Sequence, residues 1–394
     1  MAGNNLGQQA YNDPANGSPS SAGPQFVNHY YWKQALIEAK KLQFFMPLAD
    51  VTAMPKNFGK TIKRFHYMPL LDDRNVNDQG IDANGVVSVN GNLYGSSKDV
   101  GSISGKLPAL SETGGRVNRV GFKRKELQGS IEKFGFFDEY TQESVDFDND
   151  AELMTHISRE MLNGAHEMTE DALMVDILNS AGVMRYAGSA TSRATVKDTD
   201  LVEYADFMRL NIDLDNNRCP KQTTIITGTR MIDTKTIPAA RFMYTATEMI
   251  PTLKAMKDLH GNQAFIPVER YAAGTTTSNG EIGMIDQFRI IIHPEMVRWN
   301  GGGAATANGD VYSTNGNVDV FPLIVVGEQS FTTIGFQTDG STVKFKITHK
   351  PPGEANANQL DPYGETGFMS IKWYYGFMVL RPERLAVIHT AAKF

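Results

Sequence analysis

The feature that most constrains the fold is a row of apolar residues between positions 149 and 181 that recurs in steps of three and four. Such steps place side chains on one face of an α-helix, and a second apolar row widens that face. The first row is Met154, Ile157, Met161, Ala165, Met168, Ala172 and Val175, and the second is Leu153, Leu173 and Ile177. At about 1.5 Å per residue the helix would be roughly 50 Å long, well beyond an ordinary globular helix. We therefore predict one long spine helix over residues 149–181.

Residues suited to capping stand at both ends of this predicted helix. Serine and aspartate side chains accept hydrogen bonds from the first N–H groups of a helix, and carboxylates suit its positive end. The candidates are Ser144, Asp146, Asp148 and Asp150. Gly182 follows the last apolar residue and is predicted to be the C-cap.

A long polar stretch, residues 72–115, lies before the spine helix and is dense in Gly, Asn, Asp and Ser. A structureless loop of this length is unusual inside a compact domain. Residues 60–68 alternate polar and apolar side chains as a strand does, and residues 116–126 supply a returning strand. We predict an extended hairpin that projects from the body and buries its apolar surface against something outside the monomer.

The rest of the chain mixes strands with shorter helices. Residues 1–25 form a predicted flexible arm, and residues 29–45 a first amphipathic helix that ends at Pro47. Further helices are predicted over 200–216 and around 245–256. Leu201, Ala205, Met208 and Ile212 lie on one face of the former. Predicted strands cover residues 223–227, 289–293, 323–327, 343–349, 369–379 and 385–390, and residues 300–317 a surface loop.

Composition excludes several classes of protein. The chain has a formal net charge of -6, which disfavours a dedicated nucleic-acid binder, because such proteins need a basic face. Its single cysteine, Cys219, allows no intrachain disulfide and is predicted to be a buried structural thiol, as suits a reducing cytoplasm. We find neither a signal-peptide pattern nor an apolar run long enough to span a bilayer, so no membrane association is expected.

The candidate catalytic and metal-binding motifs are all incomplete. Residues 101–106 (GSISGK) are one residue short of a phosphate loop, and Leu107 replaces its hydroxyl residue. The aspartates of residues 146–150 resemble the start of a calcium loop. However, Ala151 stands where that loop needs glycine, and Ile157 where it needs glutamate. The histidines are scattered. We therefore expect no enzymatic activity, no cofactor and no metal.

Two blocks of opposite charge remain as a binding signal. Basic residues at the two sides of the predicted hairpin base are Lys56, Lys60, Lys63, Arg64, Arg116, Arg119, Lys123, Arg124 and Lys125. Acidic residues that lead into the predicted spine helix are Asp138, Glu139, Glu143, Asp146, Asp148, Asp150 and Glu152. A single surface charge is usually just solvated. Blocks of opposite sign on separate elements suit a protein that binds copies of itself head to tail, so we predict contacts between the two blocks of neighbouring subunits.

The order of these elements resembles the subunit of tailed double-stranded-DNA phage heads, known as the HK-ninety-seven fold. Several stretches are similar, more narrowly, to the major capsid family of N-four-like podoviruses. They are residues 31–40 (YWKQALIEAK), 54–60 (MPKNFGK), 361–368 (DPYGETGF), 372–380 (KWYYGFMVL) and 383–386 (ERLA). The resemblance runs from about Tyr30 to Ile388 and is loosest over residues 228–340.

The resemblance implies an α+β fold with five parts. These are an N-terminal arm and first helix (1–59), an extended hairpin loop (60–125), a peripheral domain with the spine helix (126–200), an axial domain (201–340) and return strands of the peripheral domain (341–394). It further implies a structural capsid protein that assembles into hexamers and pentamers, forming an icosahedral head around packaged DNA without sequence-specific contact.

The resemblance also implies partners and a location. Besides further copies of the chain, the expected partners are a portal protein, a scaffold and a decoration or cement protein. The protein would reside in the virion shell after assembly in the host bacterial cytoplasm. The alternative is a decoration or tail protein without shell-forming activity, which electron microscopy of the purified protein distinguishes, since only a shell protein forms hollow particles.

Overall fold

The structure is a computed structural model, and it describes residues 44–54, 59–67, 124–146, 153–226, 234–271, 277–306, 309–336, 345–354, 357 and 361–394. The helices are α1 (Gln142–Asp146), α2 (Leu153–Ser180), α3 (Tyr204–Asn216) and α4 (Ile250–Lys254). The first nine strands along the chain are β1 (Asp50–Met54), β2 (Thr61–Tyr67), β3 (Arg124–Thr141), β4 (Val183–Tyr186), β5 (Gln222–Ile226), β6 (Thr234–Thr245), β7 (Ile266–Pro267), β8 (Glu281–Ile285) and β9 (Phe288–Ile292). The remaining strands are β10 (Ser313–Thr314), β11 (Asn317–Val318), β12 (Phe321–Val326), β13 (Phe331–Phe336), β14 (Lys346–Lys350), β15 (Thr366–Val379) and β16 (Leu385–Thr390).

Two large sheets organise these strands. The six-stranded sheet has the order β1-β13-β15-β3-β2, with β14 also paired to β15. The eight-stranded sheet has the order β4-β16-β12-β6-β9-β8-β7, with β5 paired to β6. Strands β9, β12 and β16 are buried along their whole length, as expected for near-continuous apolar runs covered on both faces.

The spine helix predicted from the apolar repeat is confirmed as α2, which at about 1.5 Å per residue is roughly 42 Å long. The two apolar rows that predict the helix are buried to different extents. Met161 is buried, but farther along the same face Met168 is 58% exposed and Val175 is 43% exposed. The second apolar row, with Leu173 and Ile177 fully buried, packs into the core there. Successive residues of an α-helix are rotated by about 100°, so the side chains of Leu173 and Ile177 point away from those of Met168 and Val175.

The predicted caps of the spine helix are wrong where the structure describes them. Ser144 and Asp146 lie in the separate helix α1, where the Ser144 hydroxyl donates a hydrogen bond to the Thr141 carbonyl. Gly182 lacks the positive φ of a left-handed C-cap. A Cβ at this position would lie 2.5 Å from the carbonyl oxygen of Pro382, so glycine is needed for close approach instead.

The helix predicted over residues 200–216 is confirmed as α3, but the apolar face that predicts it is not the buried one. Helix α3 starts at Tyr204, and Ile212 is 57% exposed. The buried face instead carries Phe207, Leu210 and Leu214. Two polar residues, Asp206 and Asn211, share that face and hide its periodicity in the sequence.

Of the remaining predicted elements, the strands are confirmed and the helices are not, as far as the structure describes them. The strands predicted at 60–68, 223–227, 289–293, 323–327, 343–349, 369–379 and 385–390 are confirmed with shifted ends as β2, β5, β9, β12, β14, β15 and β16. The helix predicted around 245–256 is only a 3-10 turn followed by α4. Of the first helix, residues 29–43 lie outside the described residues, and Phe44 and Phe45 are not helical. The arm (1–25) and the polar stretch at 72–115 also lie outside them.

Candidate functional site

The base of the predicted hairpin is a two-stranded ribbon of β2 and β3. The strands pair antiparallel, so Lys63 lies opposite Gln128 and Tyr67 opposite Arg124. This ribbon brings together the basic residues of the predicted contact that the structure describes, which are Lys60, Lys63, Arg64, Arg124 and Lys125. The others, Lys56, Arg116, Arg119 and Lys123, lie outside the described residues.

One face of the ribbon is exposed and carries aromatic rings as well as charges. Phe65 is 43% exposed and Tyr67 is 59% exposed. The Arg124 guanidinium lies 4.4 Å from the centre of the Phe65 ring, within cation–π range. The Lys63 ammonium is 2.5 Å from the Glu126 carboxylate, and this hydrogen bond lowers the Glu126 pKa. Lys63 is therefore partly neutralised within its own subunit.

The opposite face of the ribbon packs on a small apolar cluster and concentrates positive charge. Ile62 and Leu127 contact this cluster, which includes Met378 and Leu380. The pKa of His66 is lowered, first by partial burial and then by the positive charges of Arg381, Arg64 and Lys125. Sequence reasoning missed Arg381, because only the packing of the segment after β15 beneath the ribbon brings this side chain near the others.

The acidic block lies at the far end of β3. Asp138 and Glu139 are exposed residues near the end of that strand, and Glu143 and Asp146 are exposed on α1. Some of these groups already have neighbours within the subunit. The Glu139 N–H donates to Asp138, and the Gln142 side-chain amide donates to Asp146. Asp148, Asp150 and Glu152 lie outside the described residues.

The two charge blocks are held apart by one continuous strand. Lys125 and Asp138 are both in β3, and the 13 residue steps between them correspond to about 43 Å at about 3.3 Å per residue. That distance is several times the Debye length of about 8 Å at physiological salt. Lys125 and Asp138 therefore cannot pair with each other within one subunit.

Two further kinds of site, a metal site and a membrane-spanning helix, are absent from the described residues. None of their His, Cys, Asp and Glu side chains form a group of three or more that could hold a metal ion. No helix in the described ranges has the length and apolar character needed to cross a membrane. Cys219 is buried as predicted, and burial raises the pKa of its thiol.

Comparisons with known proteins fit this architecture. Residues 124–388 match the family model described as phage capsid protein. The major capsid protein of Pseudomonas phage KPP21 is 63% identical over 385 residues, covering 97% of each chain. The capsid of Ralstonia phage GP4 matches 94% of this chain and 97% of its own with a TM-score of 0.55 at 12% identity. The head structure of Helicobacter pylori bacteriophage KHP40 matches 98% and 99% with a TM-score of 0.53 at 10% identity.

The chain belongs to the phage capsid protein family. Its expected HK-ninety-seven-like α+β fold is confirmed. Family membership also confirms that the chain is a structural protein of the virion shell rather than an enzyme. The narrower likeness to N-four-like podoviruses stays a prediction.

Proposed function

We propose that the chain is a major capsid protein whose copies form hexamers and pentamers, which close an icosahedral head around phage double-stranded DNA. The observation that carries this proposal is the 63% identity to a major capsid protein across nearly the whole of both chains. The net charge of -6 is consistent with a wall that encloses DNA without sequence-specific contact.

The contact between neighbours joins the two ends of β3. The basic ribbon base of one subunit, with Arg64, Arg124 and Lys125, lies against the acidic end of the next, with Asp138 and Glu139. Because the two surfaces differ and are about 43 Å apart on one rigid strand, the contact is heterologous and extends from copy to copy. Each contact is weak, and a closed lattice sums many of them into a stable shell.

The two sheets support a division of the subunit into two domains. The axial domain of residues 201–340 contributes six of the strands of the eight-stranded sheet, from β5 to β12. Strand β13 (Phe331–Phe336) pairs in the six-stranded sheet instead, so we place the end of the axial domain before Phe331. The peripheral domain holds α2 and the six-stranded sheet, and the hairpin projects from β2 and β3.

Other partners follow from the function. A closed head needs an opening for DNA, so a portal protein replaces subunits at one vertex, and a scaffold and a decoration or cement protein assist assembly. Assembly takes place in the host bacterial cytoplasm, which suits a chain whose single cysteine is a buried thiol.

Reversal of the basic charges at the ribbon base tests the contact. The triple variant Lys123→Glu, Arg124→Glu and Lys125→Glu should remain folded by circular dichroism but form few or no shells in negative-stain micrographs. The matched control reverses three exposed basic residues of the eight-stranded-sheet region, Lys254, Lys257 and Arg270. Normal shells from the ribbon variant would exclude the proposed contact, while wild-type protein that never forms shells would exclude the proposed function itself.

A further inference from the structure

A buried carboxylate on the spine helix holds the segment that precedes β1. Glu170 in α2 is 6% exposed. Its Oε1 accepts hydrogen bonds from the backbone N–H groups of Phe44 and Phe45, at 2.8 and 2.5 Å. Its Oε2 accepts one from the Met46 N–H at 3.2 Å. These donors explain why Phe44 and Phe45 are not helical, since their N–H groups are directed to α2.

The same segment packs its aromatic rings on the eight-stranded sheet. Phe45 is fully buried, and its ring centre lies 4.9 Å from that of Tyr244 at the end of β6. The Phe44 ring lies 4.6 Å from the imidazole of His293, which directly follows β9. Two aromatic rings thus pack the segment against the ends of β6 and β9 in the eight-stranded sheet. Ring pairs of this kind add to the free energy that is gained by burial.

Five residues after Phe45 the chain enters the six-stranded sheet. Strand β1 pairs in parallel with β13, from Asp50 opposite Thr332 to Met54 opposite Phe336. The Thr332 hydroxyl donates to the Asp50 carbonyl at 2.8 Å, which adds a side-chain contact to the ladder. Residues 44–54 therefore contact α2 and both sheets within eleven positions.

We propose that residues 44–54 form a strap that ties the two sheets to the spine helix, and that the Glu170 carboxylate is the catch that holds this strap against α2. Among the described residues, the hydrogen bonds to the Glu170 carboxylate come from the N–H groups of this strap. Release of the strap would leave a buried carboxylate without those donors, so catch and strap depend on each other. Burial raises the pKa of the Glu170 carboxyl, and the three backbone donors oppose that rise.

The strap also fixes where the preceding residues join the body. Phe44, the first described residue of the chain, lies beside Glu170 in α2. This proposal concerns the single subunit and goes beyond the proposed assembly function. It stands or falls independently of the charge contact between neighbours.

Hydrogen exchange of the full-length subunit tests the catch. Glu170→Gln removes the charge and points an amide donor at the strap, so the amides of Phe44, Phe45 and Met46 should exchange about tenfold faster or more. The amides of β1 should follow, while those of α2 keep their protection. Glu160→Gln makes the same chemical change at an exposed position of α2 and should leave exchange in the strap unchanged.

A second variant covers the case in which Glu170→Gln does not fold. Glu170→Asp keeps the negative charge but withdraws it by one methylene group, so it should also loosen the strap selectively. Unchanged strap protection in either folded variant would overturn the proposal. A loss of protection spread evenly over the whole chain in both variants would also overturn it, because Glu170 would then serve general stability rather than the strap.

Discussion

Replacing Arg289 with methionine should destabilise the folded subunit by about 3–5 kcal/mol, because it leaves a buried carboxylate without its cation. The Arg289 side chain is 5% exposed and that of Glu281 is 0% exposed, and the Arg289 Nε donates to Glu281 Oε1 at 2.7 Å. The same carboxylate accepts two further hydrogen bonds, from the Tyr271 hydroxyl at 3.0 Å and from the Ser278 N–H at 2.9 Å. These neutral donors cannot replace the lost positive charge.

A double-mutant cycle separates the ion pair from simple loss of packing. Glu281→Gln in the Arg289→Met background removes the buried charge while keeping an oxygen for the remaining donors. The loss in free energy of unfolding of the double variant should therefore be about 2 kcal/mol smaller than the sum of the two single losses. Urea unfolding of unassembled subunits, followed by tryptophan fluorescence, measures all three variants. A loss below about 1 kcal/mol for Arg289→Met, or strict additivity, would refute this reasoning.

Three further predictions address the fold. Leu173→Ala should cost about 2–5 kcal/mol in free energy of unfolding and Val175→Ala less than about 1 kcal/mol, since the former is buried and the latter is not; equal losses would mean that the face of α2 is assigned wrongly. Burial lowers the pKa of His389 to about 4, so between about pH 6.5 and pH 4 the unfolded chain binds a proton that the folded chain does not. Stability should therefore fall by up to about 3 kcal/mol as the pH drops through that window, and His389→Gln should remove this part of the dependence in urea titrations. Gly182→Ala should cost about 1–3 kcal/mol, because its Cβ would meet a backbone carbonyl 2.5 Å away. Gly309→Ala, with nothing within 4 Å, is the matched control and should be close to neutral.

The sequence predicts elements better than faces. Apolar runs such as that of β12 and the repeat in α2 specify a strand and a helix locally, because each is long and regular. The repeat does not specify which of two apolar rows is covered. That depends on where the sheets lie, and Met168, a member of the first apolar row, is exposed. A polar residue on a buried face, such as Asn211 in α3, obscures which face of a helix is covered.

The candidate site shows the same limit. Charge blocks are visible in the sequence, and the structure joins their described members by one strand. Yet β3 continues to Thr141, far beyond the predicted return strand at 116–126. The contribution of Arg381 and the catch at Glu170 depend on contacts between residues more than a hundred positions apart, for which no local pattern exists.

The most direct test of the central claim, that the two ends of β3 pair between neighbouring subunits, is a charge swap read by electron microscopy. One variant reverses three residues of the basic block (Lys123, Arg124 and Lys125 to Glu), a second reverses three residues of the acidic block (Asp138, Glu139 and Glu143 to Lys), and a third carries both changes. Each single reversal should abolish or strongly reduce shells. The combined variant, which has complementary ends again and the original net charge, should restore them. If the combined variant assembles no better than the single reversals while all three remain folded, the ends of β3 do not pair in the shell.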